Sequence, residues 1–133
     1  MKKFRLQAVA LVLVVTAAFT SCSKDDDNDG PVTKTAFVTT VTGPTTGTIN
    51  QELVMAVAFT VDNNCGSFNK FVETSVTNTK TIEVQAKYEG TNCGTTATVK
   101  NTTYKFKATA AGTYILKFKK SATEFVTQTV VVN

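Results

Sequence analysis

Lys80-Thr81-Ile82-Glu83-Val84-Gln85-Ala86-Lys87-Tyr88-Glu89 decides the fold class. Ile82, Val84, Ala86 and Tyr88 alternate with Glu83, Gln85, Lys87 and Glu89. A period of two puts one set on an apolar face and the other in water, which is the signature of a half-buried β-strand. Outward from this stretch the same period recurs. Tyr104 and Phe106 alternate with Lys105 and Lys107, and Tyr114, Leu116 and Phe118 alternate with Ile115, Lys117 and Lys119. Thr, Val, Phe, Tyr and Ile dominate these segments, and such residues fit a pleated surface better than a helix.

Turn chemistry separates the segments. Strands are expected at Lys34 to Val41, Glu52 to Val61, Phe68 to Thr77, Lys80 to Glu89, Thr103 to Ala108, Thr113 to Lys119 and Phe125 to Val132. Between them lie Thr42 to Gly47, Asp62 to Ser67, Asn78-Thr79, Ala110 to Gly112 and Ser121 to Glu124, where Gly, Pro, Asn and Asp favour chain reversal. Gly90 to Thr102 reads as a long polar connection, with room for a short strand at Ala97 to Val99. Glu52 to Val61 is apolar on both faces and should be the most buried strand. About seven strands at this spacing predict an all-β fold, a single antiparallel β-sandwich over residues 34–133. Ala111-Gly112-Thr113-Tyr114 resembles the tyrosine corner of immunoglobulin-like domains. The resemblance implies that Tyr114 is structural, and that Leu116 fills the place of the family's second core cysteine.

The chain has 133 residues, which allows one modest core. Three of its 14 cationic residues, Lys2, Lys3 and Arg5, precede the apolar run Leu6 to Phe19. That arrangement reads as a secretory signal over residues 1–21. Without those three the balance is 14 − 3 = 11 cations against 10 acids; beyond Gly30 it is 10 Lys against 6 acids. The folded part is therefore mildly basic. No His or Trp occurs, and no Arg follows the signal. This excludes a histidine-based nucleophilic pair, a histidine zinc site and a guanidinium clamp. Glu52, Glu73, Glu83, Glu89 and Glu124 show no convergent pair for acid–base work. No enzyme, cofactor or metal site is expected.

Phe19-Thr20-Ser21-Cys22 resembles a bacterial lipobox, with Phe19 where Leu is usual and Ser21 where Gly or Ala is usual. The resemblance implies cleavage before Cys22 and acylation of its sulfur with palmitate-type chains. A soluble secreted protein and an uncleaved anchor are the readings weighed against it. Residues 22–33, which include Asp25, Asp26, Asp27 and Asp29, read as an acidic flexible tether. About 10 extended residues reach some 35 Å. An acidic run after a lipidated Cys is similar to the export signal of surface lipoproteins in some Gram-negative bacteria. It implies attachment to the outer membrane, more on the cell surface than on the periplasmic face. Asp25-x-Asp27-x-Asp29-Gly30 also begins like a calcium loop, but Ala36 stands where the bidentate Glu is needed.

Asn64-Cys65-Gly66 and Asn92-Cys93-Gly94 each follow an expected strand. Up-down strand order brings both thiols to one end, and outside the inner membrane they should oxidise to a Cys65–Cys93 bond. A redox-active pair is the alternative, against which the wide spacing argues. Gly43, Pro44, Thr45, Thr46 and Gly47 are a candidate contact loop. They are similar to a loop of chagasin-type protease inhibitors, but Gly43 replaces that loop's Asn and the family's Arg-Pro-Trp loop is absent. The expected function is a lipid-anchored, non-enzymatic binding or adhesion module. Its expected contacts are the membrane, through the anchor, and an unidentified protein or glycan, with no nucleic acid. An accessory subunit of an envelope complex is the alternative.

Overall fold

The computed structural model describes residues 30–133. The described residues form eight strands: β1 (Val32–Thr42), β2 (Thr46–Gly47), β3 (Glu52–Val61), β4 (Gly66–Val76), β5 (Thr79–Tyr88), β6 (Thr98–Lys107), β7 (Gly112–Lys119) and β8 (Phe125–Val132). The fold is all-β and sandwich-like. β4, β5, β7, β8 and β2 form one layer, and β3 with β6 form the core of the other. β1 belongs to both. Val32 to Ala36 pair with β5, whereas Phe37 to Thr42 pair with β3. A register shift between Val38 and Thr40 lies just past the changeover. Bulges of this kind bend a strand and increase its twist, which lets one strand serve two layers.

The core is what the alternation implies. Leu53, Met55, Val57, Phe59 and Val61 of β3 are buried, and so are Ile82, Val84 and Ala86 of β5. Aromatic rings lock the layers together. Phe71 of β4 meets Tyr104 of β6 edge-on at 5.1 Å, and Tyr104 meets Phe118 of β7 edge-on at 5.3 Å. Such pairs contribute roughly 0.5–1.5 kcal/mol beyond their buried area.

Several expectations change. β3 is buried on one face only: Val54 is 47% exposed, because no other described residues cover the outer side of its layer. β1 begins at Val32, so the last residues assigned to the tether are already paired. β6 starts at Thr98 and runs unbroken to Lys107, absorbing the second half of the expected connection. Its ladder with β3 is continuous from Val61↔Thr98 to Glu52↔Lys107, and that ladder satisfies polar backbone that sequence alone left as loop. The seven expected strands gain an eighth, the two-residue β2. The antiparallel expectation holds for five of the seven pairings; β5–β7 and β2–β8 are parallel. The chain leaves β5, crosses to the opposite layer as β6, and returns as β7. Two reversals put β7 parallel to β5, and parallel neighbours require such a crossover.

Among the described residues, β4 and β6 each have one edge without a partner strand, and β8 is covered on its outer edge only at Val131 and Val132. β4 carries a register shift between Phe68 and Lys70 and a charge, Glu73, on its core-facing side. β6 carries Lys100, Lys105 and Lys107. Bulges, inward charges and lysines are devices that disfavour uncontrolled edge pairing.

Candidate functional site

The two ends of the sandwich differ. At one end Cys65 and Cys93 are bonded, with Cα atoms 5.1 Å apart. The bond ties the β3–β4 turn to the β5–β6 connection. Asn63 caps the turn by accepting from the Cys65 N–H at 3.0 Å, and the Asn64 N–H donates to the Cys93 carbonyl at 3.2 Å. The Asp62 N–H donates to the Tyr88 hydroxyl at 3.0 Å, and Tyr88 pairs with Val32. The chain therefore enters its first strand beside the disulfide. Lys34 binds Asp62 there at 3.0 Å. That hydrogen bond, then the Asp62 charge, holds the Lys34 ammonium above its usual range.

The far end carries the candidate loop. Gly43 to Gly47 is a strap held against the sandwich rather than a free tip. Val131 N–H donates to the Thr45 carbonyl at 2.8 Å, Asn133 N–H to the Gly47 carbonyl at 3.0 Å, and the Gln128 side-chain amide to the Gly43 carbonyl at 3.3 Å. A Cβ on Gly43 would lie 2.7 Å from Met55 Cγ, and one on Gly47 would lie 2.8 Å from Leu53 Cδ1. Both glycines exist for close approach to the core. Pro44, Thr45 and Thr46 remain exposed. Tyr114 lies at this end too. Its hydroxyl donates to the Ala110 carbonyl at 2.8 Å.

Tyr104 is the buried polar exception. It is 2% exposed, and its hydroxyl has no hydrogen-bond partner among the described residues. Burial pushes that hydroxyl well above the usual tyrosine range, and the Glu73 charge pushes it further. The Glu73 carboxylate lies outside hydrogen-bonding geometry with the hydroxyl and pairs instead with Lys80 at 3.0 Å.

The outer face of the β4–β5–β7–β8 layer mixes Thr and Lys with exposed apolar groups. Register aligns its residues in rows. Val76, Thr79, Ile115 and Thr129 form one row; Thr74, Thr81, Lys117 and Thr127 form the next; Val72 with Glu83 and Lys119 with Phe125 form a third, joined by the Glu83–Lys119 ion pair just past the end of the β5–β7 ladder. Lys70 continues the face beside Gln85. Neighbours within a row lie about 4.8 Å apart. Lys119 pairs with Glu83 at 2.8 Å, and the Lys117 ammonium sits 4.9 Å from the centre of the Phe125 ring. The opposite layer shows a smaller apolar row, Phe37, Thr60 and Val99, with Phe37 42% and Val99 56% exposed.

Among the residues singled out from sequence, the structure joins Cys65 to Cys93 and gathers Gly43 to Gly47 near Tyr114 at the other end. Cys22 and the signal segment lie outside the described residues. Sequence reasoning missed the aligned rows. Each strand showed its outward Thr or Lys, but no local signal says which strands stand side by side. Among the described residues no group of three or more His, Cys, Asp or Glu is placed to hold a metal. The chain matches no protein-family model, no curated protein and no solved structure.

Proposed function

We propose that this protein is a lipid-anchored envelope protein, held through Cys22, whose sandwich domain is a non-enzymatic binding or adhesion module. One observation carries the binding half of the reading: lysine and threonine side chains of four neighbouring strands share one open face. A rigid sheet that displays polar groups in register is a scaffold for recognition. The anchoring half rests on Phe19-Thr20-Ser21-Cys22 and the acidic run that follows. Several acyl chains hold a protein far better than one, which alone gives about 10⁴ M⁻¹. An oxidising location accords with the Cys65–Cys93 bond.

The test is fractionation of cells expressing the full chain, with mass spectrometry of residue 22. Acylated, membrane-retained protein that Cys22→Ala releases is expected. A wild-type chain found soluble and unacylated overturns the reading. Tags at Thr46 and Ser121, compared for antibody access on intact cells, report which end faces the medium. The accessory-subunit reading has its own support in the exposed Phe37–Thr60–Val99 row, since apolar patches favour protein contacts. Co-migration with a second envelope protein in mild detergent, abolished by Val99→Lys, would favour it.

A further inference from the structure

We infer that the outer face of the β4–β5–β7–β8 layer binds a single chain of an anionic polysaccharide, one whose sugars carry carboxylates. The inference rests on the binding-module reading and names its ligand class. Charge argues for the anion. The six acids beyond Gly30 are Glu52, Asp62, Glu73, Glu83, Glu89 and Glu124, and the first five are held in ion pairs with lysines. Lys70 and Lys117, both on this face, have no acidic partner among the described residues. Glu83 is the only acid in the three rows, and Lys119 neutralises it. The face therefore presents uncompensated positive charge.

Side-chain chemistry argues for a sugar. The middle row, Thr74, Thr81, Lys117 and Thr127, is hydroxyl and ammonium throughout. Apart from Ile115, the exposed apolar groups Val72, Val76, Phe125 and Val131 stand on β4 and β8, at the sides of the face. A protein interface has the reverse anatomy, apolar at the centre and polar at the rim. Threonine hydroxyls both donate and accept, which matches the hydroxyl-rich edge of a sugar chain. Twist decides between a chain and a crystal. Adjacent strands rotate by about 20–25°, so a row across four strands turns by roughly 60–75°. A flat lattice cannot follow that turn, whereas one flexible polymer can.

The experiment uses the detergent-solubilised full chain. Its probes are soluble alginate as the polyuronate, neutral dextran, and vesicles containing phosphatidylglycerol. Alginate should bind, dextran should not, and affinity should fall as salt rises. The double variant Lys70→Gln/Lys117→Gln should bind about five- to tenfold more weakly, as expected for two exposed charge contacts. Thr81→Val/Thr127→Val keeps shape and charge and should also weaken binding, by about threefold or more. Lys107→Gln, outside these rows on the opposite layer, should change nothing. Unchanged thermal melting shows that each variant is folded. Failure to bind alginate, equal binding of dextran, binding to vesicles alone, or an equal loss with Lys107→Gln overturns the inference. If the wild type is acylated and membrane-retained yet fails these tests, the ligand assignment falls and the anchored reading stands. If it is soluble and unacylated, the anchored reading falls whatever alginate does.

Discussion

The Tyr114 hydroxyl donates to the Ala110 carbonyl at 2.8 Å across the turn that begins β7. The bond reaches four residues back and closes the corner on itself. Gly112, with φ of 153°, lies between the two partners and lets the backbone make that turn. The Tyr114 ring packs against Phe106 of the other layer at 5.3 Å. One side chain therefore fixes a turn and joins two layers.

Tyr114→Phe keeps the ring and removes the bond. The expected loss is about 1 kcal/mol in chemical unfolding. An unchanged midpoint would show that the corner is held by ring packing alone.

Tyr104→Phe should act in the opposite direction. The Tyr104 hydroxyl is buried without a partner among the described residues, so removing it leaves no group unpaired and should stabilise by roughly 1 kcal/mol at neutral pH. The pH dependence follows from the raised hydroxyl pKa. A raised folded-state value gives stability that is whole below the unfolded tyrosine value, near 10, and is lost as pH rises above it. Wild type should weaken in alkali above about pH 10 more steeply than Tyr104→Phe. Parallel pH profiles for the two proteins would rule this account out.

Thr77 holds φ of 53° in the β4–β5 hairpin. A β-branched residue is strained there, and Asn tolerates the region better. Thr77→Asn should raise the stability by about 0.5–1 kcal/mol and the melting temperature by several degrees. Gly43→Ala should do the reverse, because its Cβ would meet Met55 Cα, a backbone atom, at 3.0 Å. Overpacking of this kind costs about 1–3 kcal/mol. Calorimetry of both variants checks the pair.

Replacing Cys65 and Cys93 together by Ser should lower stability by about 3–4 kcal/mol, the chain-entropy value for a loop of this separation, 28 residues. The β-sheet signal in circular dichroism should persist, because the bond ties loops and not core strands. Non-reducing peptide mapping of the wild type should find the two peptides linked.

The strands themselves were legible from sequence. Ile82, Val84 and Ala86 are buried and Glu83 and Gln85 are not, as their alternation implies, because a strand's two faces are set by each residue's own chemistry. Cys65 and Cys93 could be paired on paper because up-down order puts both at one end. Tyr114 was legible because its bond spans only four residues. What only the tertiary structure decided is partnership at a distance. Nothing in Val32–Thr42 says that it changes layer near Phe37. Nothing in Gly112–Lys119 says that it will lie parallel to β5, and nothing in Thr46-Gly47 says that it will strap β8. The β5–β7 and β2–β8 pairings join residues 36 and 85 positions apart, where register is chosen by how the buried faces pack together. The row of Thr74, Thr81, Lys117 and Thr127 exists only because of that choice. Chemistry local to one strand fixed which way each side chain points, and packing between strands fixed which side chains stand together.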